Sequence, residues 1–112
     1  MAAEGNVESP VPYEIRFSDE ADEQVAGLTA RQRARLLDAV VRQLLHEPTK
    51  ETRNRKPMRA DKTPFIAPWE LRIGEMRVYY DVAEEPKAVV VVTAVGIKER
   101  NRILIAGREI EP

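Results

Sequence analysis

The stretch WELRIGEMRVYYDV, residues 69–82, carries the strongest structural signal in this chain. Apolar residues alternate along it on both sides of a single Gly, which is the period of a half-buried strand. Two such strands separated by Gly74-Glu75 predict a β-hairpin with a two-residue turn. In that register Arg72 lies directly opposite Arg77. Because like charges that face each other across a sheet cost free energy, the placement of these two arginines needs an explanation.

Length and composition predict one small globular domain. The 112 residues are 43% hydrophobic and 33% charged, which is typical of a globular rather than a disordered chain. The chain contains no Cys, which excludes disulfides, thiolate zinc sites and a Cys nucleophile and fits a reducing compartment. The first residues lack the basic and apolar regions of a signal peptide, and no segment has the length of a membrane span. We therefore expect a cytoplasmic protein without membrane association.

Charge is unevenly distributed along the chain. The net charge is −1, which alone argues against nucleic acid as a partner. Acidic residues, however, concentrate near the start of the chain, whereas basic residues concentrate in its middle and towards its end. A nearly neutral protein can carry a locally positive face, and that face then determines the partner.

The first half of the chain predicts a strand followed by two helices. Residues 1–11 are expected to form a flexible tail, and residues 13–17 alternate as a strand does. Ser18 is a favourable N-cap for a first helix, and Thr29 with Gln32 has the form of a capping box for a second, longer helix. The expected buried face of the second helix contains Ala30, Ala34, Leu37, Val41 and Leu44, widened by Val40 and Leu45.

The second half of the chain predicts an antiparallel sheet. Residues 49–67 are polar and basic, and we expect a loop that Met58 clamps to the domain. Residues 88–95 predict a strand that is apolar on both faces, as in a central strand covered on both sides. Residues 98–112 favour a short hairpin, although a short helix fits them as well. The predicted fold is α+β, with an N-terminal strand, a helical hairpin and an antiparallel β-sheet in the order β-α-α-β-β-β, followed by a short C-terminal segment, in one domain of residues 12–112.

The residues that the chain lacks exclude most catalytic chemistry. His46 is its only His, and we expect it to be a partly exposed cap near the end of the second helix. The only serines are Ser9, in the tail, and Ser18, at a helix start, which argues against a Ser/His/Asp triad. The sequence has no metal-ligand spacing and no phosphate-binding Gly loop. We therefore expect neither a metal nor another cofactor.

The basic residues are the remaining candidates for function, and each group has two interpretations. The cations of residues 53–62 are either a solvated loop or an edge that contacts phosphates, because Lys and Arg supply the affinity that nucleic-acid chemistry needs. Arg72 and Arg77 are either neutralised by Glu70 and Glu75 or belong to a polar sheet face that receives an anion. The sequence leaves both alternatives open for both groups.

The order of these features resembles the RelE/ParE superfamily of toxins from bacterial type II toxin–antitoxin modules. The resemblance covers residues 13–107 and rests on YEIRFSDEA, the long helix ending LLHEPT, RKPMR, LRIGEMRVYYDV and VVVVTAVGIKERN. It implies a small toxin that arrests growth when free and is held inactive by an antitoxin whose helix or strand wraps it. RelE-type members cut messenger RNA on the ribosome, whereas ParE-type members share the fold and poison DNA gyrase.

The resemblance also implies roles for individual residues in RNA cleavage. Arg77 matches the basic residue after the family's Gly-x turn, and Lys98 matches a basic residue that follows the last strand. Both would stabilise the charge that develops on the phosphate. Apart from the resemblance, strand alternation places Tyr79 on the same sheet face, where it would stack on a base or donate a proton. The RNA would be bound by Arg53, Arg55, Lys56, Arg59, Arg72, Arg100 and Arg102.

Departures from the RelE pattern keep other functions open. Pro68 and Glu70 stand where RelE-type toxins have lysines before the turn, and Leu104 stands where they have a C-terminal Tyr. These departures favour a second hypothesis, a ParE-like gyrase poison without enzymatic activity. A third hypothesis is a degenerate toxin that only binds its antitoxin. In every case we expect an antitoxin as partner, with acidic residues against the arginines of the sheet face.

Overall fold

The computed structural model describes residues 12–58, 67–100, 102–105 and 108–110, and the expected tail of residues 1–11 lies outside them. A strand and two helices come first, as the sequence predicts, and strands follow. The described elements are β1 (Glu14–Phe17), α1 (Asp19–Ala26), α2 (Ala30–Leu44), β2 (Arg55–Pro57), β3 (Trp69–Ile73), β4 (Met76–Ala83), β5 (Val89–Glu99), β6 (Arg102–Ile105) and β7 (Arg108–Ile110).

The described strands form one sheet in the order β2-β3-β4-β5-β6-β7. All of these neighbours pair antiparallel, which confirms the predicted sheet and the α+β fold. β2 is an addition, because it lies in the segment that was expected to be a loop. β1 pairs with β5 in the parallel direction, with Glu14 opposite Val89 and Phe17 opposite Val92. The sequence did not predict this direction, which requires a crossover between the two strands, and α1 and α2 lie in that crossover.

The hairpin of β3 and β4 has the predicted register. Arg72 is the partner of Arg77, and Gly74 and Glu75 form the turn between the strands. Gly74 has φ of 58°, the left-handed conformation that two-residue hairpin turns require and that glycine adopts without steric cost. Arg35 of α2 lies against this turn, and a Cβ atom on Gly74 would be 2.8 Å from its Nη2.

The main core lies between the helices and one face of the sheet, which we name the helix face. Burial of its apolar side chains supplies most of the driving force for folding. Its buried members are Ala21, Leu36, Val40, Leu44, Leu71, Met76, Val78, Tyr80, Val90, Val92 and Val95.

The buried face of α2 differs from the predicted one. Leu36 and Ala39 are buried with Val40 and Leu44, whereas Leu37 and Val41 are 41% and 51% exposed. The helix contains apolar pairs at 36–37, 40–41 and 44–45, so the sequence carries two apolar stripes about 100° apart on the helix surface. The first member of each pair faces the sheet. Ala30 and Ala34 are exposed as well, so the predicted face was wrong by one residue in helical phase.

A smaller cluster covers part of the opposite face of the sheet, which we name the outer face. Tyr79, Ala94 and Ile103 are buried there with Ala67, and Met58 packs against them. The backbone N–H of Met58 donates to the carbonyl oxygen of Pro68 at 2.6 Å. Met58 therefore attaches the connection after α2 to the sheet, as predicted, and β5 is covered on both faces near Ala94.

A β-bulge in β5 explains its long apolar run. Thr93 is an extra residue between the partners of two consecutive β4 residues. Because side chains alternate along a strand, one extra residue shifts the phase, so that Val92 and Val95 both face the main core. The hydroxyl of Ser18 donates to the carbonyl oxygen of Thr93 at 3.3 Å, which links the start of α1 to the bulge.

Three local predictions are confirmed. The side chain of Ser18 accepts a hydrogen bond from the N–H of Ala21, so it is the N-cap of α1. Thr29 and Gln32 form the reciprocal capping box at the start of α2. β6 and β7 pair as a hairpin, and its turn residues 106–107 lie outside the described part of the chain.

Candidate nucleic-acid interface

Three cations occupy neighbouring positions on the outer face of the sheet. Arg72 is paired with Arg77 across one strand interface, and Arg77 is paired with Gly96 across the next. Lys98 is exposed two residues beyond Gly96, so it projects from the same face, and its N–H donates to the carbonyl oxygen of Glu75 at 2.7 Å. The structure therefore brings together Arg72, Arg77 and Lys98, which we name the basic triplet.

Arg77 is fixed against the hairpin turn. Arg77 is only 9% exposed, and its Nη1 donates to the carbonyl oxygens of Gly74 at 2.7 Å and Met76 at 2.9 Å. These bonds use the two donors of Nη1, and a guanidinium group carries five. Since the folded hairpin already orients this charge, Arg77 is preorganised to meet an anion at the sheet surface.

Arg72 has an acidic neighbour on its own strand. Its Nε donates to Oε1 of Glu70 at 2.8 Å, and the arginine side chain is 50% exposed while the carboxylate is buried. The interpretation that Glu70 neutralises an arginine is therefore correct for Arg72. Glu75 has a different neighbour, because its Oε1 lies 3.7 Å from Nη1 of Arg35.

Tyr79 does not occupy the exposed position that its proposed role requires. It is 1% exposed and belongs to the buried cluster on the outer face. Burial raises the pKa of its hydroxyl, and the charge of Glu70 and a hydrogen bond to that carboxylate raise this pKa further. A phenol in this environment holds its proton tightly and does not present its ring to a base. The structure thus contradicts the assignment of Tyr79 as a stacking residue or proton donor.

Arg55 is also misplaced in the predicted interface. It is opposite Leu71 in the β2–β3 pairing, so its side chain points to the helix face, where it is buried. Nη1 donates to the carbonyl oxygen of Gln43 at 2.9 Å and also to the carbonyl oxygen of Glu47. These are carbonyls at and beyond the end of α2, where backbone acceptors lack helical partners. Arg55 therefore stabilises a helix end and does not contact an external ligand.

The other predicted binding residues are more dispersed. Lys56 is opposite Glu70 on the outer face, and its Nζ lies 3.7 Å from Oε2 of Glu51. Arg53 and Arg100 are exposed, and neither is a strand partner of a residue in the basic triplet. Of the predicted binding residues, Arg59 and Arg102 have side chains outside the described part of the chain.

The residue at the position of the family's C-terminal Tyr faces away from the basic triplet. Leu104 pairs with Ile97, whose side chain packs against the main core. The outer face is instead occupied by Ile103, opposite Lys98. An aromatic side chain in place of Leu104 would therefore project from the helix face in this register.

Sequence reasoning did not identify Gly96 as part of this surface. Gly96 is paired with Arg77, and it has no side chain to separate that guanidinium from the adjacent strand. Knowledge of the β4–β5 register would have identified Gly96, because that register places it opposite Arg77. That register is hidden in the sequence because the extra residue Thr93 shifts the count by one.

Two features are absent from the described residues 12–58, 67–100, 102–105 and 108–110. No helix there is long and apolar enough to cross a membrane. No group of three or more His, Asp or Glu side chains there is placed to hold a metal ion.

The fold and the basic triplet define a small α+β domain whose outer sheet face carries positive charge. No protein-family model and no curated protein sequence matches this chain. Among solved structures, it is similar to a chain of the toxin–antitoxin complex RelBE2 from Mycobacterium tuberculosis, with 28% sequence identity and a TM-score of 0.63. The match covers 79% of this chain and 100% of that chain. This similarity confirms the resemblance to the RelE/ParE superfamily of toxins.

Proposed function

We propose that this chain is the toxin of a type II toxin–antitoxin module and that its basic triplet binds and cleaves RNA. The observation that carries the proposal is the convergence of Arg72, Arg77 and Lys98 on the face of the sheet that the helices leave uncovered. The similarity to a chain of a toxin–antitoxin complex supports the same assignment.

Arg77 and Lys98 differ in how firmly the fold holds their side chains, and this suits two different tasks. Arg77 is held by backbone carbonyls and acts as a fixed donor towards the phosphate. Negative charge increases there as the ribose 2′-hydroxyl loses its proton to water and attacks phosphorus, before the bond to the 5′-oxygen breaks and that oxygen takes a proton from water. Lys98 is exposed on a flexible side chain and contacts the same phosphate or its neighbour. Removal of one preorganised donor of this kind typically lowers the rate about a hundredfold.

Arg72 has a binding rather than a catalytic role in this proposal. Its guanidinium is half exposed, and Nε is already bonded to Glu70, so it adds phosphate affinity at the edge of the site. Arg53, Lys56 and Arg100 would extend this contact along the RNA backbone. Tyr79 is buried, so we assign no proton transfer to an aromatic residue in the described part of the chain.

The partner in this proposal is an antitoxin. The similar chain comes from a complex between a toxin and its antitoxin, and a small domain with a charged sheet face offers a surface for such a partner. Messenger RNA on the ribosome is the proposed target, and this would place the protein in the cytoplasm.

A second candidate function is that of a DNA gyrase poison. The observation that favours it is the position of Leu104, which faces away from the basic triplet and provides no aromatic group there. The burial of Tyr79 removes the other aromatic candidate on the outer face.

Expression of the chain under a tightly controlled promoter distinguishes the two candidates. An RNA-cleaving toxin arrests growth, and primer extension then maps new 5′ ends within cellular messages. A gyrase poison instead induces the DNA-damage response and traps gyrase on cleaved DNA while the messages stay intact. Growth without arrest and without either signature would contradict both candidates.

A further inference from the structure

Glu70 is a buried acidic side chain on the face of the sheet that carries the basic triplet. The residue is only 5% exposed. Its strand partners are Lys56 on β2 and Tyr79 on β4, and Arg72 follows two residues later on its own strand. The proposed RNA chemistry assigns no task to this carboxylate, although it lies beside a surface that is proposed to bind phosphate. A negative charge at this place opposes the binding of another anion.

The carboxylate of Glu70 is fixed by two donors. Its Oε1 accepts a hydrogen bond from Nε of Arg72 at 2.8 Å, and the hydroxyl of Tyr79 is bonded to the same carboxylate. The side chain of Arg72 is 50% exposed, whereas that of Glu70 is 6% exposed. The acid of this ion pair is therefore buried in the sheet surface, and its base faces the solvent. Since separation of the pair would leave a buried charge without its partner, the fold strongly favours the intact pair.

The ion pair reduces what Arg72 can offer to RNA. A guanidinium group binds phosphate most strongly through two parallel N–H donors, either along the edge that includes Nε or at the end formed by the two Nη atoms. Glu70 already occupies Nε, so only the outer end can bind a phosphate through two donors. The negative charge of Glu70 also cancels part of the attraction between Arg72 and a phosphate. Arg72 is therefore a weaker phosphate ligand than its exposure alone indicates.

Glu70 affects the three cations of the basic triplet unequally. Arg72 is in direct contact with it, and Arg77 lies diagonally across one strand interface, a separation of roughly 7–8 Å in an antiparallel pair. Lys98 belongs to β5, which lies one strand further from Glu70. Because electrostatic repulsion falls with distance, a phosphate meets the least opposition between Arg77 and Lys98.

We propose that Glu70 is an internal competitor of RNA for Arg72, which lowers the RNA affinity of the outer face and directs the phosphate towards Arg77 and Lys98. This inference rests on the proposed function, because it concerns RNA binding at the same site. Glu70 acts through Arg72, so it is a positioning residue and not a catalytic one. Its charge also offsets the repulsion between Arg72 and Arg77, so the stability of the hairpin and the affinity for RNA make opposite demands on it.

The test is a titration with a short single-stranded RNA that carries 2′-O-methyl riboses, which can be bound but not cleaved. Glu70→Gln removes the charge and keeps an oxygen that accepts a hydrogen bond. Asp22→Asn is the matched control, because Asp22 is exposed on α1, which packs on the helix face. We expect the Kd to fall about fivefold for E70Q and to change less than about twofold for D22N. The slope of log Kd against log salt concentration should become steeper by about 0.7 for E70Q, as for one additional phosphate contact on a single strand.

Two further comparisons assign the effect to Arg72. The double variant E70Q/R72M should lose the gain in affinity and bind the RNA as R72M does. In the wild-type background, Lys98→Met should reduce the salt slope by about 0.7, and Arg72→Met should reduce it by clearly less, because the charge of Arg72 is already partly cancelled. This comparison between R72M and K98M does not depend on the folding of E70Q.

The outcomes separate this inference from the proposed function. A folded E70Q variant with unchanged Kd and salt slope, or an equal gain in D22N, would overturn the role of Glu70 while the toxin assignment stands. A gain that persists in E70Q/R72M, or equal losses of slope for R72M and K98M, would overturn that role as well. A wild-type chain that binds no RNA would contradict the RNA-cleaving function itself, and this inference with it.

Discussion

Arg72 and Arg77 lie directly opposite each other in the β3–β4 hairpin, and each has its own electrostatic counterpart. Arg72 donates to the buried carboxylate of Glu70, whereas Arg77 donates to two backbone carbonyl oxygens of the hairpin. The repulsion between the two arginines is therefore offset within the folded chain. The exposed half of the Arg72 side chain remains available to an external anion.

Replacement of Glu70 by Gln tests this offset. The amide can still accept hydrogen bonds, but it removes the negative charge between Arg72 and Tyr79. We expect a loss of about 1 kcal/mol in the free energy of unfolding at low salt, and a smaller loss at 0.5 M salt, because like-charge repulsion across the hairpin is then screened. Chemical denaturation at the two salt concentrations measures this difference. Glu75→Gln is the control, and equal losses for the two variants would contradict the assignment of Glu70.

Replacement of Arg55 by Met tests the structural role of that residue. The variant keeps the length of the apolar stem and removes the bonds to the carbonyl oxygens of Gln43 and Glu47. We expect the free energy of unfolding to fall by about 2–4 kcal/mol, since hydrogen bonds from charged groups contribute about 1.5–3 kcal/mol each and are not additive. Arg53→Met is the control, because Arg53 is exposed. A thermal melt in which the two variants behave alike would show that the bonds at the helix end contribute nothing.

Replacement of Gly74 by Ala tests the turn. The left-handed conformation at φ of 58° is strained for Ala, and the new Cβ would lie 2.8 Å from Nη2 of Arg35. We expect a loss of about 1 kcal/mol, because Arg35 can move but the backbone strain remains. Gly27→Ala is the control, since Gly27 has φ of −80° and its new Cβ would make only ordinary contacts. Equal melting temperatures for the two variants would contradict the turn geometry.

The two buried tyrosines predict a loss of stability at alkaline pH. Burial raises the pKa of Tyr79 and of Tyr80 above the ordinary value of 10.0. The folded state therefore holds these protons more tightly than the unfolded chain does, so stability is complete below about pH 10 and falls as the pH rises further. Absorbance at 295 nm should show their tyrosinates appearing together with loss of the folded circular dichroism signal. Full ionisation of all three tyrosines near pH 10 in a folded chain would refute this prediction.

The sequence predicted the elements whose signals are local. The hairpin around Gly74 and the caps at Ser18 and Thr29 follow from neighbouring residues alone, and all three are present. The phase of α2 did not follow, because Leu36 and Leu37 belong to apolar stripes of equal strength and only packing against the sheet selects one of them. The parallel direction of β1 likewise depends on contacts with a strand far along the chain.

The candidate site was predicted only in its central part. Arg72 and Arg77 were proposed because the hairpin register pairs them, and Lys98 was proposed through the family resemblance; the structure places the three on one face. Arg55 was misassigned because a basic residue in a polar segment gives no sign of burial, and only its pairing opposite Leu71 turns it inward. Tyr79 was misassigned for the opposite reason, because alternation places it on the outer face but cannot reveal that Met58 and Ala67 cover that face.

The exposed Lys98 offers the most direct test of the proposed RNA chemistry, because its removal leaves the hairpin bonds of Arg77 in place. Lys87 is the matched control, since it is exposed in the turn between β4 and β5, at the far end of both strands from the basic triplet. The decisive measurement is the extent of messenger RNA cleavage, mapped by primer extension, after expression of wild type, Lys98→Ala and Lys87→Ala at equal protein levels. We predict cleavage by wild type and Lys87→Ala and clearly reduced cleavage by Lys98→Ala, with a loss smaller than the roughly hundredfold expected for a preorganised donor such as Arg77. Equal cleavage by all three proteins would contradict the proposed site, and growth arrest without cleavage by any of them would contradict the proposed reaction.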